Sequence, residues 1–500
     1  MKRTHRSAVR RFSADQQKRQ RRNCLPLGLA SWLQKFETWS TSDKTRAVDL
    51  LLSKCDSHQI RHVASIIEPQ FQLDFLAELP KNLALLILGF LDAKDIARAA
   101  QVSSSWHSLA EDHILWREKC FENGITEPYF VPEGSTFYGC PWKAAYIRQY
   151  DIAKNWRDLS TDTAMILRGH DDHVITCLQF NGTKIVSGSD DNTLRVWCLV
   201  TGKCLETLQG HSGGVWSCEV AGDTAVSGST DRTLRVWNIS NGECLFTLHG
   251  HTSTVRCIAL YGDRVVSGSR DTTLRMWDVT TGQLCVVLEG HCAAVRCVCF
   301  DGSSVVSGSY DHTVRVWNPS TGSCLFVLNG HSHRVYSLQF DGVYAVSGSL
   351  DTSIMVWDVA KGRLKHTLMG HRSLTSSMVL RGRTLVSGNA DSTVRVWDVE
   401  LGECVHTLQG SGRHQSAVTG LQLCGRDLVV SASDDGSVKL WSLKTGEFIR
   451  NLTSLDSAGH GGVVWRIQCT DTKLKIQPLN ELTQFLILKC KFILRPKRET

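Results

Sequence analysis

The dipeptide Gly-His occurs at 169–170, 210–211, 250–251, 290–291, 330–331 and 370–371, a spacing of 41 residues once and 40 thereafter. Behind each pair comes Val-Ser-Gly-Ser-x-Asp or a close variant. A tryptophan follows six residues after the Asp, at Trp197, Trp237, Trp277, Trp317, Trp357 and Trp397. A seventh copy begins near Ser411; it lacks the Gly-His but keeps Ser-Ala-Ser-Asp-Asp and Trp441. A weaker eighth begins at Gly-His-Gly-Gly-Val-Val-Trp (459–465). A unit this short cannot bury its apolar face alone, so copies in fixed register must stack on one another.

The period and its Gly-His and Trp marks resemble the WD-repeat family, which implies four strands per unit and an all-β propeller. By that resemblance His251, Ser267, Asp271 and Trp277 form one hydrogen-bonded set, satisfying polar groups that would be costly to bury unpaired. A hydrolase triad is excluded, because a catalytic constellation occurs once and this one recurs in every copy. No catalytic residue, metal ligand set or cofactor motif stands outside the repeat. The ring must close, since an open strand edge invites aggregation. The expected closing strand is Ala-Met-Ile-Leu-Arg-Gly (164–169), paired with an eighth blade from 462 onward. The segment after Val-Val-Trp-Arg-Ile-Gln-Cys lacks the repeat's marks, so residues 470–500 are expected to form an atypical last blade of an eight-bladed propeller spanning 164–500.

Two register positions vary where the rest is nearly constant. The fifth residue after the His is Ile175, Trp216, Arg256, Arg296, Tyr336 and Ser376, with Thr419 and Trp465 matched from the last copies. The residue before the turn Asp is Asp190, Thr230, Arg270, Tyr310, Leu350, Ala390 and Asp434. Both positions lie on one face of a WD-type propeller. Arg256, Arg270 and Arg296 are thus gathered around one spot, with Trp216, Tyr310 and Tyr336 beside them. Three guanidinium groups repel one another, and a dianion resolves the repulsion. A phosphate, with about −1.5 to −2 charges and three acceptor oxygens, suits arginine forks. Taken singly, each arginine reads better as a surface residue in an exposed ion pair; the matched register of all three favours the anion.

Upstream the chain is helical. Residues 76–122 carry Leu-Pro-x-x-Leu and a Phe-Leu, an Asp-Ile and a Leu-Trp-Arg behind it, a pattern that resembles the F-box. That resemblance implies a Skp-type adaptor and a cullin scaffold as partners, with Leu79, Pro80, Leu83, Ile87 and Leu91 as the expected contacts. Residues 31–75 repeat apolar positions at helical spacing (Trp32, Phe36, Trp39, Val48, Leu51, Leu52, Ile60, Val63, Ile66, Ile67). So short a segment cannot bury them alone, so a homodimer is the expected outlet. Residues 123–163 are expected to form a helical linker.

Charge and cysteine usage narrow the alternatives. Residues 1–22 hold nine Lys or Arg against one Asp, a net +8 that exceeds the chain's +7 and leaves the remainder at −1. The body therefore lacks the basic footprint of a nucleic-acid-binding protein. Residues 1–30 read as a disordered basic tail, a nuclear-import signal being one use of it. No apolar run reaches transmembrane length, and the 19 cysteines lack zinc spacing. Cys204, Cys244, Cys324 and Cys404 read as reduced, buried small hydrophobes in an intracellular protein of nucleus or cytoplasm.

Taken in order, these parts resemble the archipelago-type group of F-box/WD-repeat phosphodegron receptors, carried by Trp-Ser-Thr-Ser-Asp-Lys, Gly-His-Thr-Ser-Thr-Val-Arg-Cys, Gly-Ser-Arg-Asp and Gly-Ser-Tyr-Asp. The resemblance implies a non-catalytic substrate receptor of a Skp–cullin–F-box ubiquitin ligase that promotes proteasomal degradation of phosphorylated regulators. Cyclin E- and Notch-like proteins would be substrates. Arg256, Arg270, Arg296 and Tyr310 would hold the phosphothreonine of a Thr-Pro degron. Thr230, Arg232, Ser253 and Thr254 would receive a second phosphate or acidic residue downstream, and Trp216, Tyr336 and Trp465 would line the groove. One further family arginine, from a Gly-Ser-Arg in the last blade, has no counterpart. Two other readings stand beside this one. One is an inhibitory form with an altered last blade; the other is a nuclear scaffold in RNA processing.

Overall fold

The structure is a computed structural model that describes residues 28–71, 74–129, 139–158, 164–170, 173–410, 412–454, 464–469, 473–478 and 484–489. The basic tail before residue 28 and the end beyond 489 lie outside the described residues. The chain divides into two compact units, Met1–Lys143 and Ala144–Thr500.

The first unit is all-helical: α1 (Leu29–Thr38), α2 (Thr41–Ser53), α3 (Ser57–Phe71), α4 (Phe75–Glu78), α5 (Lys81–Gly89), α6 (Ala93–Ala99), α7 (Ser104–Ala110) and α8 (His113–Glu122). Serine and aspartate start several of them by capping free amides. Ser40 accepts from Asp43 N, Asp74 from Ala77 N and Ser103 from Trp106 N. Neither α1 nor α2 has a buried residue. Their aromatics cluster on each other instead, with the Trp32 and Phe36 ring centroids 5.1 Å apart.

The helices from α4 onward do have a core. Leu76, Ala84, Leu88, Ile96, Leu115, Trp116 and Cys120 are buried. Trp116 donates its Nε1–H to Ala110 O at 2.6 Å, and Trp106 donates to Asp74 Oδ1 at 2.7 Å. On α5 the buried ridge is Ala84 and Leu88, four residues apart on one face.

The second unit begins in α9 (Pro141–Asp158), whose Ile152 and Trp156 are buried in one cluster with Val430, Leu440 and Val464. Beyond it lie eight four-stranded antiparallel sheets. Seven are blades of WD type, each strand following its predecessor. Blade 1 spans 175–208, blade 2 215–248, blade 3 255–288, blade 4 295–328, blade 5 335–368, blade 6 375–408 and blade 7 418–454. The remaining sheet has the order Ala164–Arg168, Gln484–Lys489, Lys473–Pro478, Val464–Cys469. It carries neither the Ser-Gly-Ser-x-Asp turn nor the tryptophan that follows it, so the count of WD blades is seven rather than eight. The first strands of successive blades lie side by side around the axis.

The expected polar set is present in all seven blades. In blade 3, His251 donates from Nδ1 to Asp271 Oδ2 at 2.8 Å, and His251 Nε2 meets Ser267 Oγ at 2.8 Å. Trp277 donates Nε1–H to the same Oγ at 3.1 Å. The glycine before the His leaves room for an arginine: a Cβ on Gly250 would lie 2.5 Å from an Arg275 guanidinium nitrogen. Blade 7, whose copy lacks the Gly-His pair, keeps the histidine of the set behind an arginine. His414 meets Ser431 Oγ at 2.7 Å and Asp435 Oδ2 at 3.2 Å. Arg413 stands where the other copies have glycine, and Lys439, in place of the strand arginine, donates to Arg413 O at 3.0 Å.

Cysteines correct a second expectation. Cys204, Cys244 and Cys404 are exposed and Cys324 half-buried, while Cys177, Cys218 and Cys120 are buried. Cys424 is disulfide-bonded rather than reduced.

Candidate functional site

Every first strand slips register at the same place. In blade 3 Val255 pairs with Ser269 and Cys257 with Gly268, so Arg256 is left out of the ladder as a bulge. The same slip leaves out Trp216, Arg296, Tyr336, Ser376 and Thr419. In the last sheet it leaves out Trp465, whose side chain lies outside the described residues. In blade 1 it falls between Ile175 and Cys177. The variable residue there is Thr176, and Ile175 is the buried ladder residue equivalent to Val255. Counting five from the His fails because the span from His170 to Ser187 is one residue longer than from His251 to Ser267.

A bulge re-aims one side chain and leaves it unpaired by the ladder. The short bulge residues turn this to scaffold use: Thr176, Ser376 and Thr419 donate their hydroxyls to Val215 O, Val418 O and Val464 O of the next sheet. The four consecutive large ones, Trp216, Arg256, Arg296 and Tyr336, cannot do so and remain half-buried. Arg256 stacks its guanidinium over Trp216 at 4.4 Å.

The second variable position sits at the same end of each blade. Arg270 N donates to Thr254 O at 2.9 Å, and Tyr310 N to Ala294 O at 3.0 Å. Arg270 is exposed, and Tyr310 is half-buried against Tyr336, with ring centroids 5.3 Å apart. Thr230 and Arg232 are exposed, Ser253 and Thr254 half-buried. Arg232 has φ 71°, a left-handed conformation that holds its side chain at the tip of the turn.

Arg256 and Arg296 are neighbours through Cys257. Burial pushes that thiol up to about 12, against the smaller downward pull of Arg296 and Arg256. Cys297 is also pushed up to about 12 by burial, so these thiols are inert packing. Arg296 Nε is buried without a hydrogen-bond partner. The same holds for Arg195, Arg235, Arg275, Arg315 and Arg395, but those occupy one repeated position, mid-strand in the third strand of their blades. Arg296 has no such scaffold role. Among the described residues Arg256 and Arg270 have no ion-pair partner, so this face offers unmet cationic donors of the kind that match a multivalent anion. Among the described residues no group of His, Cys, Asp or Glu could hold a metal ion, and no helix is long and apolar enough to cross a membrane. Ser267 is fully buried, so the repeated Ser–His–Asp sets offer no nucleophile to a substrate.

In the helical unit, Leu83, Ile87 and Pro80 are exposed and Leu79 and Leu91 half-buried. The periodicity also leaves Leu86 and Phe90 outward; they are 61% and 84% exposed, more than Leu83 and Ile87.

Two family models match. The F-box-like model covers residues 76–122. The WD domain, G-beta repeat model covers 162–198, 202–238, 242–278, 282–318, 322–358, 362–398 and 402–442, more than half of the chain. This chain belongs to the F-box and WD-repeat family. Among relatives of this F-box/WD-repeat chain, the F-box/WD repeat-containing protein 7 of Drosophila melanogaster is 57% identical over 199 residues, 38% of this chain and 15% of that protein. The F-box/WD repeat-containing protein sel-10 of Caenorhabditis elegans is 44% identical over 222 residues, 37% of this chain and 38% of that protein. A probable E3 ubiquitin ligase complex SCF subunit sconB of Arthroderma otae is 27% identical over 209 residues, 36% of this chain and 31% of that protein. The matches thus span less than two fifths of these relatives' length. The computationally designed Ika8 protein superimposes with a TM-score of 0.59 at 35% identity, covering 65% of this chain and 98% of that one.

Proposed function

We propose that this chain is a non-catalytic substrate receptor of an SCF-type ubiquitin ligase that captures phosphorylated Thr-Pro peptides on the bulge-lined face of its propeller. The observation that carries the reading is the run of four large bulge residues, with Arg256 on Trp216 and an unmet donor on Arg296. Arg256, Arg270, Arg296 and Tyr310 hold the central phosphate. Thr230, Arg232, Ser253 and Thr254 take a downstream anion, and Trp216 and Tyr336, with Trp465, line the groove. The exposed face of α5 docks the Skp-type adaptor and its cullin, so that a captured protein's lysines sit near the charged conjugating enzyme and rate is gained by proximity. The outward apolar residues of α1–α3 pair two copies, in the nucleus or cytoplasm. The last sheet closes an eight-sheet ring, a reading supported by Gln468 Nε2, which donates to Gln179 Oε1 in blade 1 at 3.2 Å.

The test is titration of the full chain, co-expressed with a Skp-type adaptor, by a doubly phosphorylated Thr-Pro-Pro peptide. Wild type is expected to bind only the phosphorylated form. Arg256→Ala is expected to lose about 2–5 kcal/mol, the cost of breaking a desolvated charge pair. Equal binding of the unphosphorylated peptide, or of the variant, would refute the reading.

A further inference from the structure

The register that places the downstream pocket also locates its counterpart two blades on. Thr230, Arg232, Ser253 and Thr254 lie where blade 2 meets blade 3. Eighty residues later the same four positions, where blade 4 meets blade 5, hold Tyr310, His312, His333 and Arg334. Backbone geometry shows the equivalence. His312 has φ 72° where Arg232 has 71°. Ser349 Oγ donates to His333 O at 2.9 Å as Ser269 Oγ donates to Ser253 O at 3.1 Å, and Leu350 N donates to Arg334 O as Arg270 N does to Thr254 O.

The side chains form one cluster. The imidazoles of His312 and His333 stack with centroids 5.7 Å apart at 30°. The Arg334 guanidinium lies 5.1 Å over the Tyr310 ring. Arg334 N donates to His333 Nδ1 at 2.9 Å, so the neutral ring carries its proton on Nε2 and presents a donor there. The nearby carboxylates do not neutralise it. Asp311 is engaged by His291, Cys292 N and Thr313, and Asp351 by His331, Ser332 N and Ser353. Among the described residues Arg334 has no carboxylate partner. No other copy places two histidines and an arginine at these positions: the intervening junction has Thr272, Ala293 and Ala294.

We infer that Tyr310, His312, His333 and Arg334 form a second anion-reading subsite, on the opposite side of the central phosphate from Arg232, which takes an acidic or phosphorylated residue upstream in the same peptide. The inference rests on the proposed phosphopeptide reading, and it gives the groove a cationic group at both ends. The upstream anion meets the Arg334 guanidinium and the imidazole N–H donors, while Tyr310 serves both anions as a shared wall.

Other copies supply substitutions already compatible with the turn. Asn192 stands at the His312 position, Ser253 at that of His333 and Thr254 at that of Arg334, so the variant is His312→Asn/His333→Ser/Arg334→Thr. The full chain with its adaptor is titrated with three Thr-Pro phosphopeptides that carry a neutral, a glutamate or a phosphoserine residue upstream. The expected result is roughly five- to twentyfold tighter binding with an upstream anion, phosphoserine exceeding glutamate. The variant should bind all three with the affinity wild type shows for the neutral peptide. Binding of all three with equal affinity by wild type overturns this inference and leaves the central pocket standing. An anion preference that persists in the variant likewise overturns it. Failure of every peptide to bind overturns both readings.

Discussion

Ser267 Oγ is the meeting point of an imidazole and an indole, each wholly enclosed. Ser267→Ala leaves His251 Nε2 and Trp277 Nε1 buried without partners, at about 1–3 kcal/mol for each unmet group. Thermal melting should show a lowered Tm for this variant; an unchanged Tm would mean that water enters to replace the hydroxyl. At this scale the sequence was legible wherever a residue type is forced by its neighbours. Ser267, Asp271 and Trp277 were placed correctly because each has a partner of fixed chemistry. His414 is hidden in the sequence because the glycine that marks the other copies is absent there, and that glycine clears space for the strand arginine. With Lys439 in that place, Arg413 is tolerated and the imidazole still reaches Ser431. Thr176 was missed for a related reason: one additional residue moved the register, and only the strand pairing reveals it.

Among the elements, α5 separates two kinds of apolar residue that alternate along nine positions. Leu88→Ala opens a cavity in the helical core and should cost about 2–5 kcal/mol. Leu86→Lys and Phe90→Lys change residues with no internal packing to lose. They should leave the far-ultraviolet circular dichroism unchanged and weaken capture of a Skp-type adaptor at least tenfold. If capture survives, α5 does not carry the interface. Helical periodicity identified an apolar helix here but assigned its faces imperfectly, since Leu86 and Ile87, and Phe90 and Leu91, compete for one stripe. Ala84 settles the matter: a small residue marks the ridge that packs closest, and it fixes Leu88 as its partner. The strands were more legible than this helix, because their marks recur seven times and each copy checks the others.

For the whole molecule, the seven polar sets make stability depend on pH in one direction. Burial lowers His291, despite the opposing hydrogen bond and charge of Asp311; His331 and His371 follow. Asp191 is raised by burial but lowered more by His170 and Thr193, to about 2. Asp231, Asp271, Asp311 and Asp435 are also held down. Groups of both kinds bind fewer protons folded than unfolded, so stability falls as pH falls. The histidine share is lost as pH drops below their ordinary 6.5, the aspartate share below 3.8. Tm measured from pH 7 to pH 4 should decline throughout, and a maximum near pH 5 would contradict this. Assembly has its own test. Leu51→Lys with Ile67→Lys should convert a dimer to a monomer in sedimentation without altering Tm. The last sheet's strands follow neither the repeat nor its spacing, yet the closing strand expected at 164–169 is there: Ala164–Arg168 pairs with Gln484–Lys489, a long-range contact that the family resemblance implies and no local pattern announces.

The register slip has one more consequence. Because the slipped residue bonds to nothing in its own ladder, blades 2 to 5 are released from the scaffold use that Thr176, Ser376 and Thr419 make of it, and there the ring behaves as a typeface with one interchangeable letter per blade. Trp-Arg-Arg-Tyr is the word this chain spells across blades 2 to 5. A different ligand calls for a different spelling, not for a different propeller.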